Sequence, residues 1–305
     1  MKKLAKLLCA AVLALTLVAC GGDKPTEVTT LEVQWVPTNV ETADGSSKAL
    51  ETHLEGLLGM DVNVTVATSY NALIEAMKSK KVHVGIMPPA TYALSREGGA
   101  AKALLSSTLT DYDQTTEKPI AGSVVTTFKA EIVVRADSGI KNYKDLEGKK
   151  VAYLGEASAS GYVYPVAEMV DAGVDLTKVE FVNITDVASS MAAVANKQVD
   201  ACFVFEGARY VFQNAVKDTK GNPVDVWTEL SVFLSTGDIP NDVIAVIPSL
   251  DDALVAKVEK AFLDMAATTE GLAIMKTWSH NGYLKATESQ YDDVNAVFNK
   301  ASNAR

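Results

Sequence analysis

Short apolar runs rich in β-branched residues alternate with helix-length amphipathic segments along most of the chain, and this alternation restricts it to α/β units. The runs LEVQWV (31–36), VNVTVA (62–67) and VHVGIM (82–87) are separated by SSKALETHLEGLLG and YNALIEAMKSK, whose apolar residues recur at helical spacing. TYALSREGG and AKALLSST follow, then a polar loop, DYDQTTEKPIAGS, and the long strand-like FKAEIVVRA (128–136). A second unit repeats the grammar with KKVAYLG, SGYVYPVAEMVDAG, VEFVNI, VASSMAAVANKQ and DACFVF. The segment SVFLSTGDIPNDVIAVIPS leads through a Gly/Pro-marked break into another apolar run, and from LDDALVAKVEKAFLDMA onward the pattern predicts helix to the end.

Two α/β units joined by two long strands predict a two-lobed protein built on largely parallel sheets. The chain is expected to leave lobe one near Ala130 and return near Val243. Lobe one is then 31–129 and 243–305, lobe two is 130–242, and the helices after the return pack on lobe one. With 305 residues, 48% of them hydrophobic, there is enough apolar material for two cores. Small ligands bind preferentially in the cleft of such an arrangement, at domain interfaces and beyond the C-terminal ends of strands.

The N-terminus has a different character. Lys2, Lys3 and Lys6 precede an apolar stretch from Leu7 to Val18, then LVAC ending at Cys20, then Gly21, Gly22 and Asp23. This is the layout of a bacterial signal peptide over 1–19, with an apolar region shorter than the roughly 20 residues a membrane span needs. A cysteine at the cleavage site resembles a lipobox, which implies a lipidated Cys20 as mature N-terminus, a tether over 20–30, and a place in the cell envelope on the outer face of the cytoplasmic membrane or in the periplasm. Of the cysteines, Cys9 leaves with the signal, Cys20 is acylated and Cys202 remains as a small hydrophobe in the apolar ACFVF, so no internal disulfide is expected.

The 38 acidic residues outnumber the 28 basic ones, for a net charge of −10, which speaks against a nucleic-acid partner. An anion would have to be held locally, against the field of the whole chain. The stretch LGEASASGYVYPVAEMVDAG (154–173) offers a means. Ser158, Ala159, Ser160 and Gly161 directly follow a strand and open a helix, where unpaired amides and the helix dipole favour an anion and small side chains let it approach. The same pattern serves an ordinary N-cap.

The stretch DSGIKNYKDLEGKKVAYLGEASASGYVYPVAEMVDAGVD resembles the phosphate/phosphite/phosphonate-binding receptors of ABC transporters, the PhnD-like family, which carry a Ser-Thr-Ser-Gly-aromatic-x-x-Pro signature here. TSYNALIEAMKSKKVHVGIM, VANKQVDAC and IPNDVIAV extend the resemblance over nearly the whole mature chain. The resemblance implies a type II periplasmic-binding-protein fold closing like a hinge on a small anionic or zwitterionic ligand, an ABC permease as partner, and a monomer. It maps the anion site onto Ser158, Ser160 and Gly161, an aromatic onto Tyr70 and a ligand-facing acid onto Asp242. There are departures: Ala159 stands where the family has Thr, Met87 where a tyrosine can occur, Val187 where a histidine can occur, and a family acid lies one position from Glu206.

Further candidates for the cleft are Glu206, Thr38, Asn39, Tyr92, Tyr112 and Phe128. His53, His83 and His280 are scattered without ligand spacing, so no metal is expected, and no cofactor either. No phosphate loop, nucleophile elbow or Ser/His/Asp set points to an enzyme. The expected function is capture of a phosphonate, phosphite or phosphate-like oxyanion. A receptor for an amine-bearing or heterocyclic solute, a sensory lipoprotein and a membrane-tethered phosphate-ester hydrolase stay open as alternatives.

Overall fold

The computed structural model describes residues 28–36, 43–156 and 158–304. Cys20, Thr38 and Asn39 lie outside them. The first unit runs β1 (Thr30–Trp35), α1 (Ala43–Leu58), β2 (Asp61–Val66), α2 (Tyr70–Lys78), β3 (Val84–Met87), α3 (Pro89–Glu97) and β4 (Lys102–Thr108). A loop over 109–126 leads to β5 (Thr127–Phe128) and into the second unit. That unit comprises β6 (Ala130–Arg135), β7 (Lys150–Tyr153), α4 (Tyr164–Asp171), β8 (Glu180–Asn183), α5 (Val187–Ala195), β9 (Ala201–Phe205), α6 (Ala208–Phe212), α7 (Val226–Glu229) and β10 (Leu230–Ser235). The return passes through β11 (Ile239–Pro240) to β12 (Val243–Val246), α8 (Asp252–Ala266), α9 (Thr269–Met275), β13 (Gly282–Lys285) and α10 (Val294–Ser302).

The strands form a six-stranded sheet ordered β13-β4-β12-β3-β1-β2 and a five-stranded sheet ordered β10-β6-β9-β7-β8, and the two crossing segments β5 and β11 pair with each other. We call the sheets with their helices lobe one and lobe two. The expectation of largely parallel sheets holds for only one side of each. β1, β2 and β3 are mutually parallel, as are β7, β8 and β9, whereas β12 runs antiparallel between β3 and β4, and β6 antiparallel to both β9 and β10. Of the antiparallel strands, β6 takes the chain into lobe two and β12 returns it to lobe one.

Alternation along the strands builds the cores. On β6, Ile132 and Val134 point into one cluster with Val166, Met169 and Phe203, while Val133 points into another with Met191, Val194 and Val204, so this sheet is covered on both faces. In lobe one, Trp35 meets Trp278 edge-on at 5.3 Å, and its indole N–H donates to Ser47 at 3.0 Å.

Two expectations about the C-terminal region are corrected. The chain is not helical to the end, because Gly282–Lys285 forms β13, an edge strand on β4. It is four residues long with a half-exposed Leu284, too short to show a period. Nor do all the late helices belong to lobe one. α8 and α9 pack there, but α10 lies against both α3 and α4, with Val294 in the core of lobe one and Ala301 in that of lobe two. Asn295 donates to the Ala93 carbonyl at 3.1 Å and Lys300 pairs with Asp171 at 2.7 Å, one contact on each lobe.

The loop over 109–126 makes a second bridge beside the hinge. Glu117 is buried against Arg209 of α6 in a bidentate pair, with Nε to Oε2 at 2.9 Å, and Arg209 also donates to the Leu230 carbonyl at 2.6 Å while stacking over Trp227. Breaking such a buried pair by removing one partner typically costs about 3–5 kcal/mol. Nearby Glu131 is 2% exposed, and burial, with the Glu117 charge second, pushes its carboxyl up to about 8. A folded value above the ordinary one means that this contribution to stability is complete below the usual carboxylate range and is lost as pH rises through about 8. Glu131→Gln should therefore flatten the decline in stability between about pH 5 and about pH 8 and leave the variant the more stable at pH 9. Urea denaturation across that range tests this, and parallel curves for the two proteins would refute it.

Candidate functional site

The topology brings the candidates to two facing sheet edges. In lobe one, the C-terminal ends of β1 to β4 share an edge with the starts of β12 and β13, which places Tyr70, Met87, Asp242 and His280 along it. In lobe two, the ends of β7, β8 and β9 share an edge with the start of β6, which places Ser158 and Glu206 there. The crossing segments β5 and β11 leave and enter at these same edges, so the edges face each other across the hinge.

The hinge is held at a few points. Ala130 N–H donates to Thr236 Oγ1 at 2.9 Å, and the buried Asn241 carboxamide donates to the Ser107 and Val125 carbonyls at 3.1 and 3.0 Å.

On the lobe-two edge the chain leaves β7, passes Gly155 and enters a π-helical turn, Ala159–Val163, that continues into α4. Ser158 caps this turn: its hydroxyl oxygen accepts the Gly161 amide at 3.1 Å and its carbonyl accepts the Val163 amide at 2.9 Å, the i to i+5 bond of a π turn. The hydroxyl keeps its own proton for a further acceptor. No described residue accepts the Ala159 or Ser160 amides, and Ser160 is buried without a side-chain hydrogen bond to any described residue. A row of donors thus starts the helix without a partner among the described residues. Gly161 is obligatory for this geometry, because a Cβ there would lie 2.6 Å from Leu154 Cβ and 2.7 Å from Ser158 Oγ. Tyr153, Tyr162 and Phe181 form a ring cluster around the turn, with centroids 5.2 to 6.2 Å apart. Sequence reasoning did not single these rings out, since their spacing is that of ordinary core residues.

On the lobe-one edge, Tyr70 opens α2 behind the Ser69 cap. Burial first and the Asp242 charge second raise its phenol, so it stays a protonated donor. The Asp242 side chain is 28% exposed, and its Oδ2 lies 3.3 Å from His280 Nε2. The other His280 nitrogen lies 3.2 Å from the Tyr283 hydroxyl. His280, read from sequence as structural or solvated, is therefore built into the site; no motif links it to Asp242, 38 positions away.

Other candidates take different places. Tyr92 does not line the cleft: it is fully buried in lobe one, edge-on to Tyr291 at 4.9 Å, with its hydroxyl donating to Glu288 and accepting the Ala103 amide at 3.0 Å. Its position at the fourth residue of α3 turns it inward. Glu206 does lie on the edge, with one carboxylate oxygen accepting from Gln114 and the other from the Lys129 amide at 3.1 Å. It borders a cavity of about 530 Å³ with Tyr112, Phe128, Asp111 and Asp238. The Tyr112 ring lies so close to Gly207 that a Cβ there would meet it at 2.4 Å. Met87 is sealed in the core, and Val187 packs on the second sheet. Among the described residues no cluster of His, Cys, Asp and Glu could hold a metal ion.

A two-lobed α/β body with a row of amide and hydroxyl donors on one lobe, faced by Tyr70 and Asp242 on the other, has the architecture of a type II periplasmic-binding-protein fold. The family described as "ABC transporter, phosphonate, periplasmic substrate-binding protein" matches residues 36–291, and the chain belongs to it. The phosphate-import protein PhnD of Mycolicibacterium smegmatis is 28% identical over 218 residues, covering 65% of this chain and 64% of its own length. Among solved structures, PhnD1 from Prochlorococcus marinus in complex with methylphosphonate superposes with a TM-score of 0.65 at 15% identity, covering 91% of this chain and 99% of that one. XAC2383 from Xanthomonas citri bound to ATP superposes with a TM-score of 0.69 at 16% identity, covering 91% and 98%. These two share the fold. No helix among the described residues is long and apolar enough to cross a membrane.

Replacing Gly161 by alanine should force Leu154 and Ser158 apart, costing about 1–3 kcal/mol of stability and disordering the donor row. Denaturant unfolding of the variant checks this, and an unchanged midpoint would show that the turn has slack.

Proposed function

We propose that this protein captures a small phosphorus oxyanion, a phosphonate, phosphite or phosphate-like compound, by hinge closure and delivers it to an ABC permease. The unpartnered donors of Ser158 to Ser160 carry this reading. Bound in the cleft, the oxyanion takes hydrogen bonds from the Ala159 and Ser160 amides and from the Ser158 and Ser160 hydroxyls, and lobe one closes over it with the Tyr70 phenol. No lysine or arginine is needed. A hydrogen bond to a charged oxygen contributes about 1.5–3 kcal/mol, roughly twice a neutral one, so a few converging bonds suffice.

Asp242 refines the ligand class. A carboxylate facing a fully ionised oxyanion is repelled, whereas one facing a P–OH or an ammonium group accepts a hydrogen bond. A ligand with a proton to donate is therefore preferred, which fits a monoprotonated oxyanion or a zwitterion. The name of the M. smegmatis relative and the methylphosphonate bound by the P. marinus protein support this class.

The Lys-rich start, the apolar stretch and Cys20 support export and lipid anchoring, with the binding body acting as a monomer at the membrane surface. Cys20→Ala should abolish incorporation of labelled fatty acid in the expressing cell, and persistent labelling would remove the anchor from this reading. Ser160→Ala should weaken methylphosphonate binding by about tenfold to a hundredfold, the worth of one hydrogen bond to a charged oxygen, without changing the unfolding midpoint. Titration calorimetry decides: unchanged affinity would exclude Ser160 from the site, and no heat with methylphosphonate, phosphite or phosphate from the wild-type protein would exclude the ligand class.

A further inference from the structure

Asp242 sits partly exposed at the cleft, but what holds it is buried. His280 is 2% exposed, its amide donates to the Met275 carbonyl at 3.2 Å, and its ring packs against Trp278 and edge-on against Tyr283. Each ring nitrogen has one partner: Nδ1 lies 3.2 Å from the Tyr283 hydroxyl and Nε2 lies 3.3 Å from Asp242 Oδ2. A buried phenol whose O–H stays on can donate to Nδ1, which leaves the imidazole proton on Nε2, aimed at the carboxylate. The order is then Tyr283 O–H to His280 Nδ1, and His280 Nε2–H to Asp242 Oδ2.

We propose that His280, oriented by Tyr283, is a positioning residue for Asp242: it pins one carboxylate oxygen, leaves the other to accept a proton from the ligand, and so sets which protonation form of an oxyanion the cleft takes. This rests on the oxyanion reading above. An Asp242 carboxylate held in this way disfavours a dianion and accepts a hydrogen bond from a P–OH or an ammonium group. Titratable groups facing the pair come from α2 (Tyr70), β13 (Tyr283) and the turn before α10 (Tyr291). Burial raises all three phenols and keeps them protonated.

The test is calorimetry on the purified full-length protein with methylphosphonate as probe. His280→Leu removes the donor and should weaken binding about tenfold, while His280→Gln, whose amide can still donate to Asp242, should stay within about threefold of wild type. In an Asp242→Asn background His280→Leu should add no further loss, since the two act as one unit. Unchanged affinity in His280→Leu, an additive loss in the double variant, or a loss in His280→Gln as large as in His280→Leu overturns the positioning role. If His280→Leu does not fold, His280→Gln decides alone, a loss well beyond about threefold overturning the role. A wild-type protein that binds no phosphorus oxyanion overturns the oxyanion reading itself, a different result from binding that is indifferent to His280.

Discussion

The insertion of β12 between β3 and β4 is the constraint on which the rest of the structure depends. It completes the sheet of lobe one with a strand that arrives only after the whole of lobe two. The chain must therefore cross between lobes twice. Because both crossings enter and leave at strand ends, the two functional edges are turned toward each other, and Asn241 and Asp242 come to the hinge as the residues immediately before β12. The acid proposed to face the ligand and the hydrogen bonds that fix the crossing are thus adjacent in sequence for a topological reason.

Charge explains how such a site works in an acidic chain. A net charge of −10 gives no general attraction for an anion, so affinity has to come from short-range donors with nothing else to satisfy. The π turn after β7 provides them. Its geometry is set by a residue with no side chain, Gly161, and by the Ser158 cap, while the rings of Tyr153, Tyr162 and Phe181 keep it in place. In the proposed reading, Asp242 makes this anion site discriminate by proton count.

The lobes are joined by more than the hinge strands. The buried Glu117 and Arg209 pair ties the 109–126 loop to lobe two, and α10 spans α3 and α4. Any opening of the cleft must pivot around these contacts or break them. Glu206 belongs to this tie through Gln114 and the Lys129 amide.

The local pattern determined much of this protein. Alternating runs were enough for the α/β class and the existence of nearly every strand, because burial on a sheet face imposes a period that survives in sequence. Small residues after a strand marked the donor turn, because close approach to backbone amides excludes side chains. Tertiary structure decided the rest. Tyr92 was indistinguishable from a cleft aromatic until packing turned it into the core. β13 was too short to show a period. α10 was a helix with no indication that it serves two lobes, and Glu206 was an acid whose partners lie 92 and 77 positions away. His280 is the clearest case: its chemistry comes from Asp242 and Tyr283, which meet it only when β12 and β13 flank β4 in one sheet. Sequence records what each segment must bury, but which polar groups are left facing one another is fixed only when the segments are assembled.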